Sequence, residues 1–276
     1  EALIKGVLES GVNVIDIGCG PTPMLYFASI SLQVDAAIMV TGSHNPKNHN
    51  GFKIVLKNKS FFGKQIQQLY KCITNQKFQN GIGKLITKDL KEDYVSELLK
   101  CSGPFPNLKV IWDCGNGATG EIISKVVKKI PGKHKVLFDE IDGNFPNHHP
   151  DPTIDKNLIH LKKSLKTEKA DLGISFDGDG DRIGVVSKDS NLISGDLLTS
   201  FLSGSILKKK KDQKIILDVK SSEKAIKSIE KQNGVAVISK TGHSLIKEKI
   251  KELNAPLAGE MSGHIFFNEN WYGFDD

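Results

Sequence analysis

The sequence predicts an α/β protein of three consecutive units, each a mixed sheet flanked by helices. Two observations predict it. Short runs rich in Val and Ile alternate with stretches of 3.6-residue apolar periodicity along all 276 residues, and two turn-rich seams divide that alternation into similar lengths. The strand-like runs fall at 12–17, 36–40, 52–56, 110–113, 136–138, 172–176, 183–186, 215–219 and 235–238. Helical patterns fill stretches between them, such as 90–99, 122–130, 222–229 and 244–253. The first seam follows the lysine-containing turn segment 75–88. The second falls near 190–196, where a helix is expected to begin at Asp196. The expected units are therefore 1–88, 89–191 and 192–276. In such folds the functional loops gather at the carboxyl ends of strands.

Composition bounds the function. With 38 Lys+Arg against 32 Asp+Glu and 38% hydrophobic residues, the chain is an ordinary folded protein, and disorder is excluded as its main state. Lysine is spread along the chain and the run 208–211 is short, so no nucleic-acid partner is expected; anionic small substrates suit the same sign of charge. No apolar run approaches the roughly 18 residues of a membrane span, and residues 1–10 lack a signal-peptide layout, which reads as cytoplasmic. Cys19, Cys72, Cys101 and Cys114 form no CxxC pair and are expected to be reduced, mostly packed thiols. The chain begins without Met inside a helical pattern and stops just after an aromatic-rich segment, so both ends read as cut.

Three loops carry the chemistry. Thr41-Gly42-Ser43-His44-Asn45-Pro46 follows a strand run, with Lys53 shortly after. Gly42 permits unusual backbone angles, Pro46 restricts the exit, and the Ser43 hydroxyl is presented at a strand end. A hydroxyl needs help to act as a nucleophile, and His44 and Lys53 are the nearby candidates. A capped polar turn explains the segment equally well. A serine hydrolase fits less well, because Asn45 replaces the second glycine of G-x-S-x-G and adjacent side chains on an extended chain point apart.

The second loop, Asp177-Gly178-Asp179-Gly180-Asp181-Arg182, lies between two strand runs. Three carboxylates about 4 Å apart repel by roughly 4 kcal/mol per pair at an effective dielectric of 20, so the folded loop calls for a cation. Arg182 and Lys188 stand where a calcium EF-hand needs Gly and Glu. A few hard oxygen ligands with room for a phosphate oxygen favour Mg2+. The alternative is a solvated acidic hairpin, which needs only one Asp-Gly.

The third region combines Lys220, then Lys240-Thr241-Gly242-His243 before a helix, then Gly259-Glu260-Met261-Ser262-Gly263-His264. Lysines and helix N-termini attract phosphate, while Glu and Ser suit sugar hydroxyls, so a phosphosugar satisfies both. Taken singly, His243 and Ser262 read as a cap or a surface residue.

These loops together resemble the α-D-phosphohexomutase superfamily, in particular its bacterial phosphomannomutase/phosphoglucomutase family. The matching runs are TGSHNPKNHNGFK at 41–53, DGNFPNHHPDP at 142–152, DGDGDR at 177–182, KTGHSLIK at 240–247 and GEMSGH at 259–264. The resemblance implies a phosphohexomutase-like fold, truncated in the first and third units and without the fourth domain that holds the substrate's other phosphate. It implies that Ser43 is a phosphoserine, that Asp177, Asp179, Asp181 and the Ser43 phosphate bind Mg2+, and that His44 and Lys53 assist proton transfer. It further implies that Arg182, Lys220 and His243, with Thr241 and Gly242 beside them, contact substrate. Glu260, Ser262 and His264, with Met261 and Gly263 in the same loop, would read the sugar hydroxyls.

The implied activity is exchange between hexose 6-phosphate and hexose 1-phosphate, of glucose, mannose or both, with glucose or mannose 1,6-bisphosphate as intermediate or activator. The alternatives are a phosphatase using the same serine and an inactive fragment that binds phosphosugar or Mg2+. Sugar preference and oligomeric state stay open, a monomer being compatible with the sequence.

Overall fold

A computed structural model describes residues 1–275. The first unit contains a parallel strand pair, Val14–Asp16 with Leu85–Thr87, and a separate antiparallel sheet in the order Ala36–Thr41, Gly51–Leu56, Lys59–Ser60. The second unit is a mixed five-stranded sheet. Its order is Leu192–Ile193, Ile183–Ser187, Leu172–Phe176, Leu108–Asp113, Gly132–Leu137, with the last three mutually parallel. The third repeats the mixed plan: Val235–Ser239, Lys214–Asp218 and Leu257–Gly259 run parallel, and Ile265–Phe267 and Phe274–Asp275 antiparallel.

The helix Thr22–Ser31 joins the three units. Its sequence, TPMLYFASIS, is apolar on nearly every face, the pattern of a helix buried all round, and Pro23 occupies the first turn, where proline costs no hydrogen bond. Met24 and Phe27 pack with Tyr94, Val95 and Ile122, while Leu25 and Tyr26 pack with Ala37, Val55 and Phe274. A further core runs from Val185 of the second sheet through Leu198 into Ile215, Leu217 and Leu257 of the third. Sheet ends from different units are thereby held against one another. At about 25 cal/mol per Å2 of apolar surface, burying side chains such as Met24 and Tyr26 contributes on the order of 2 kcal/mol each.

Several sequence expectations change here. The run expected as a strand at 12–17 pairs only over Val14–Asp16. The strand expected at 136–138 begins at Gly132, because Lys133 and Lys135 alternate with inward residues at a sheet edge. The thiols are not mostly packed: Cys19 and Cys72 are exposed, and only Cys114 is buried. Among the described residues no helix is long and apolar enough to cross a membrane.

Candidate active site

Strands Leu172–Phe176 and Ile183–Ser187 pair antiparallel with Phe176 opposite Ile183, so residues 177–182 form the connecting loop. Gly180 closes it in the left-handed region at φ +72°, donating to the Asp177 carbonyl at 3.1 Å. The loop turns Asp177, Asp179 and Asp181 into the interior, where all three are buried and offer oxygens within 4.8 Å of one another. Burial, reinforced by Asp177 and Asp179 and opposed by Lys53, pushes the Asp181 carboxyl up to about 7. Burial acts on Asp179 in the same direction, yet Lys53 and the Thr22 hydroxyl hold its carboxyl below the usual value. Lys53 Nζ donates to Asp179 Oδ2 at 2.6 Å and to Asp181 Oδ2. Asp179 Oδ1 and Asp181 Oδ1 remain buried without a hydrogen-bond partner. Two orphaned carboxylate oxygens in an all-oxygen donor set fit a hard divalent cation.

The serine loop meets this cluster. Strand Ala36–Thr41 pairs with Gly51–Leu56, which sets Lys53 opposite Met39, while the turn beyond Thr41 carries Ser43 at φ +53°. That backbone region is unfavourable for a residue with a Cβ, and the Ser43 N–H is held there by the Thr41 hydroxyl at 2.8 Å. The Ser43 hydroxyl donates to Asp177 Oδ2 at 2.8 Å, across 134 residues of sequence. Its oxygen lies 3.1 Å from His44 Nδ1. The expectation that Ser43 and His44 point apart is thus overturned: it assumed an extended chain, and the left-handed turn at Ser43 swings the two side chains together. Gly178 is required by closeness, since a Cβ there would stand 2.2 Å from the Ser43 carbonyl oxygen.

Arg182 and the third unit complete the seam. The Arg182 Nε–H donates to His264 Nε2 at 3.2 Å, and His264 Nδ1 lies 3.9 Å from Asp181 Oδ2. The Ile183 N–H donates to the Gly263 carbonyl at 3.0 Å, fastening the 259–264 loop to the acidic loop. Glu260 is buried and accepts from the Gly242 N–H at 2.7 Å and from the Ser262 hydroxyl at 3.0 Å. His243 starts the helix His243–Leu253, and its ring stacks on His264 at 5.9 Å. Ser43, His44, Lys53, the three aspartates, Arg182, His264 and His243 therefore form one chain of contacts. Thr241, Met261 and Lys220 gather instead around Asp218: the Thr241 hydroxyl and the Met261 N–H donate to its carboxylate, and Lys220 Nζ lies 3.9 Å away.

Sequence reasoning missed Asp218, Thr22 and the pair Asp113–His148. Asp218 is fully buried and tethers the loops that carry Thr241 and Met261. Thr22 donates to Asp179 Oδ2 at 2.6 Å. His148 Nε2 lies 3.0 Å from Asp113 Oδ1 and fixes the exit of the 142–152 run. The only signal for Asp218 was a lone acid closing an apolar strand; Thr22 had none.

Fold and site define a class of chain: successive α/β units whose serine, acidic and glutamate loops converge at one seam. Models of the phosphoglucomutase/phosphomannomutase alpha/beta/alpha domains I, II and III match residues 1–80, 92–191 and 194–276. The chain is 43% identical over 276 residues to phosphomannomutase/phosphoglucomutase of Pseudomonas aeruginosa, covering all of this chain and 60% of that one. It is 41% identical over 281 residues to phosphoglucomutase of Neisseria meningitidis, with the same coverage. A crystal structure of a phosphoglucomutase/phosphomannomutase family protein from Burkholderia thailandensis superposes with a TM-score of 0.95 at 43% identity, over 100% of this chain and 62% of that one. The chain belongs to the phosphoglucomutase/phosphomannomutase family. It spans about three fifths of the length of the relatives it matches.

Proposed function

We propose that this chain carries the reacting serine, the metal loop and the sugar-side loops of a phosphohexomutase, which interconverts hexose 6-phosphate and hexose 1-phosphate of glucose, mannose or both. The observation that carries the reading is the Ser43 hydroxyl held 2.8 Å from Asp177 Oδ2, beside two unpartnered carboxylate oxygens. A nucleophile against an acidic triad suits a phosphoryl group, which needs a divalent ion between itself and the aspartates. Asp177, Asp179 and Asp181, with an oxygen of phosphorylated Ser43, would hold Mg2+; when bound, the ion neutralises charge on the phosphoryl group.

In the proposed cycle a sugar hydroxyl oxygen attacks the phosphorus on Ser43. The new P–O bond forms as the Ser43 Oγ–P bond breaks; the hydroxyl proton passes to a ring nitrogen of His44, and the Lys53 ammonium donates a proton to the leaving oxygen. Ser43 Oγ leaves with the bond's electron pair, and the sugar becomes a 1,6-bisphosphate. The sugar then turns and returns its other phosphoryl group to Ser43. Arg182, Lys220 and His243 would bind phosphate, and Thr241, Gly242 and the 260–264 loop would position the ring. The buried Glu260 carboxylate, already ordered by Gly242 and Ser262, offers its remaining lone pairs to hydroxyls. The same reading takes 1–88, 89–191 and 192–276 as the units and the cytoplasm as the location.

The test is intact mass after incubation with glucose 1,6-bisphosphate and Mg2+. One added phosphoryl group mapping to Ser43, absent from Ser43→Ala, is expected. Phosphate on another residue, or release only to water, overturns the reading.

A further inference from the structure

We infer that Lys247 is a positioning residue: its buried ammonium fixes the proton of the His243 ring on Nε2, so that His243 meets a phosphosugar as an uncharged N–H donor. The inference rests on the proposed function only in assigning a phosphosugar to that ring.

Lys247 lies one turn beyond His243 on the helix His243–Leu253, and only 3% of it is exposed. Its Nζ is 3.5 Å from His243 Nδ1. An ammonium has three donors and no lone pair, so the contact, though long, has one sense: Nδ1 accepts. An imidazole that accepts at Nδ1 is neutral and carries its hydrogen on Nε2.

The ammonium is itself held in place by aromatic faces. Nζ stands 4.1 Å from the ring centre of Tyr26, 5.2 Å from that of Phe274 and 6.0 Å from that of Phe266. Cation–π attraction of this kind stabilises a buried charge and restricts where it sits. Tyr26 belongs to the helix Thr22–Ser31, whose first residue bonds Asp179, so one helix of the first unit touches both the metal loop and the Lys247 cage.

The neighbouring ring is set the opposite way. His264 Nε2 accepts from Arg182 Nε–H, which leaves the His264 hydrogen on Nδ1, toward Asp181. The two rings stack with an interplanar angle of 18° and carry their protons on different nitrogens. His243 thereby offers one hydrogen bond without a further full positive charge, and Arg182 supplies the cation.

The test is the 15N spectrum of the full chain labelled at histidine, with the His243 signals identified by their loss in His243→Gln. The expected result is a neutral ring protonated at Nε2 in the parent protein. Lys247→Met keeps most of the stem in the aromatic cage and should shift His243 to a mixture of tautomers, with binding of glucose 1-phosphate weakened about twofold for an even mixture, because only the Nε2–H fraction is competent. Lys247→Arg should restore the Nε2–H form. A ring protonated at Nδ1, or charged, in the parent protein overturns the inference even if the variant fails to fold, and so does an unchanged tautomer in a folded Lys247→Met. If the tautomers behave as stated but glucose 1-phosphate leaves every His243 signal in place, the positioning role stands and the phosphosugar reading falls.

Discussion

Lys53 Nζ, on a strand of the first unit, lies 2.6 Å from Asp179 Oδ2 in the second and also donates to Asp181. The lysine supplies positive charge to an acidic cluster that would otherwise repel itself, and it does so across a boundary between units. Lys53→Met should lower the stability of the metal-free protein by about 2 kcal/mol, because buried carboxylates lose their counter-charge. Millimolar Mg2+ should recover most of that loss. Thermal melts of parent and variant, with and without the ion, check it; a variant deficit that Mg2+ leaves untouched counts against the metal site.

Gly178 is where the serine and acidic loops come closest. Gly178→Ala would drive a Cβ into the Ser43 carbonyl at 2.2 Å, and backbone cannot move aside as a side-chain tip can. The expected outcome is a cost of roughly 1–3 kcal/mol and loss of phosphoryl uptake at Ser43, with the far-ultraviolet circular dichroism of the parent. Full phosphorylation of the variant would show that the two loops need not touch.

Cys114 is buried, and that burial first, with Asp113 and Asp139 nearby, pushes its thiol up to about 12 despite the Thr119 contact. Cys19 and Cys72 are exposed. A disulfide reagent at neutral pH should therefore modify Cys19 and Cys72 quickly and Cys114 only after denaturation. Peptide mapping of the labelled sites decides this, and early labelling of Cys114 would contradict the packing described.

His148 places Nε2 against Asp113 and Nδ1 3.0 Å from the His149 carbonyl oxygen, so both nitrogens face acceptors. Burial works against protonation, but the Asp113 carboxylate outweighs it and raises the pKa of His148 above 6.5. The folded state thus binds this proton more tightly than the unfolded chain. The stabilisation is complete below 6.5 and is lost as pH rises through the raised folded value. Urea midpoints measured across that window should fall with pH in the parent and fall less in His148→Gln. Equal slopes would assign the pH dependence elsewhere.

Much of the site was legible in the sequence because its chemistry is concentrated in short runs. Three aspartates and two glycines between strand-like runs announced a loop able to wrap a cation, and the strand pairing bears out only the loop's position between two strands. Ser43 after a strand was legible for the same reason. What escaped were single polar residues whose role comes from packing: Thr22 inside a helix apolar on nearly every face, and Asp218, which meets Thr241 and Met261 only after the third sheet forms. The geometry of Ser43 and His44 was misjudged because one left-handed residue reverses the direction of neighbouring side chains, and a non-glycine there has no sequence signature.

The separation of 134 positions between Ser43 and Asp177 also orders events at the ribosome. The serine leaves the exit tunnel while its acidic partner is still untranslated, so the nascent chain passes through a long interval with a bare hydroxyl loop and no place to put Lys53. The contact between Ser43 and Asp177 can form only once the acidic loop has followed the serine out of the ribosome.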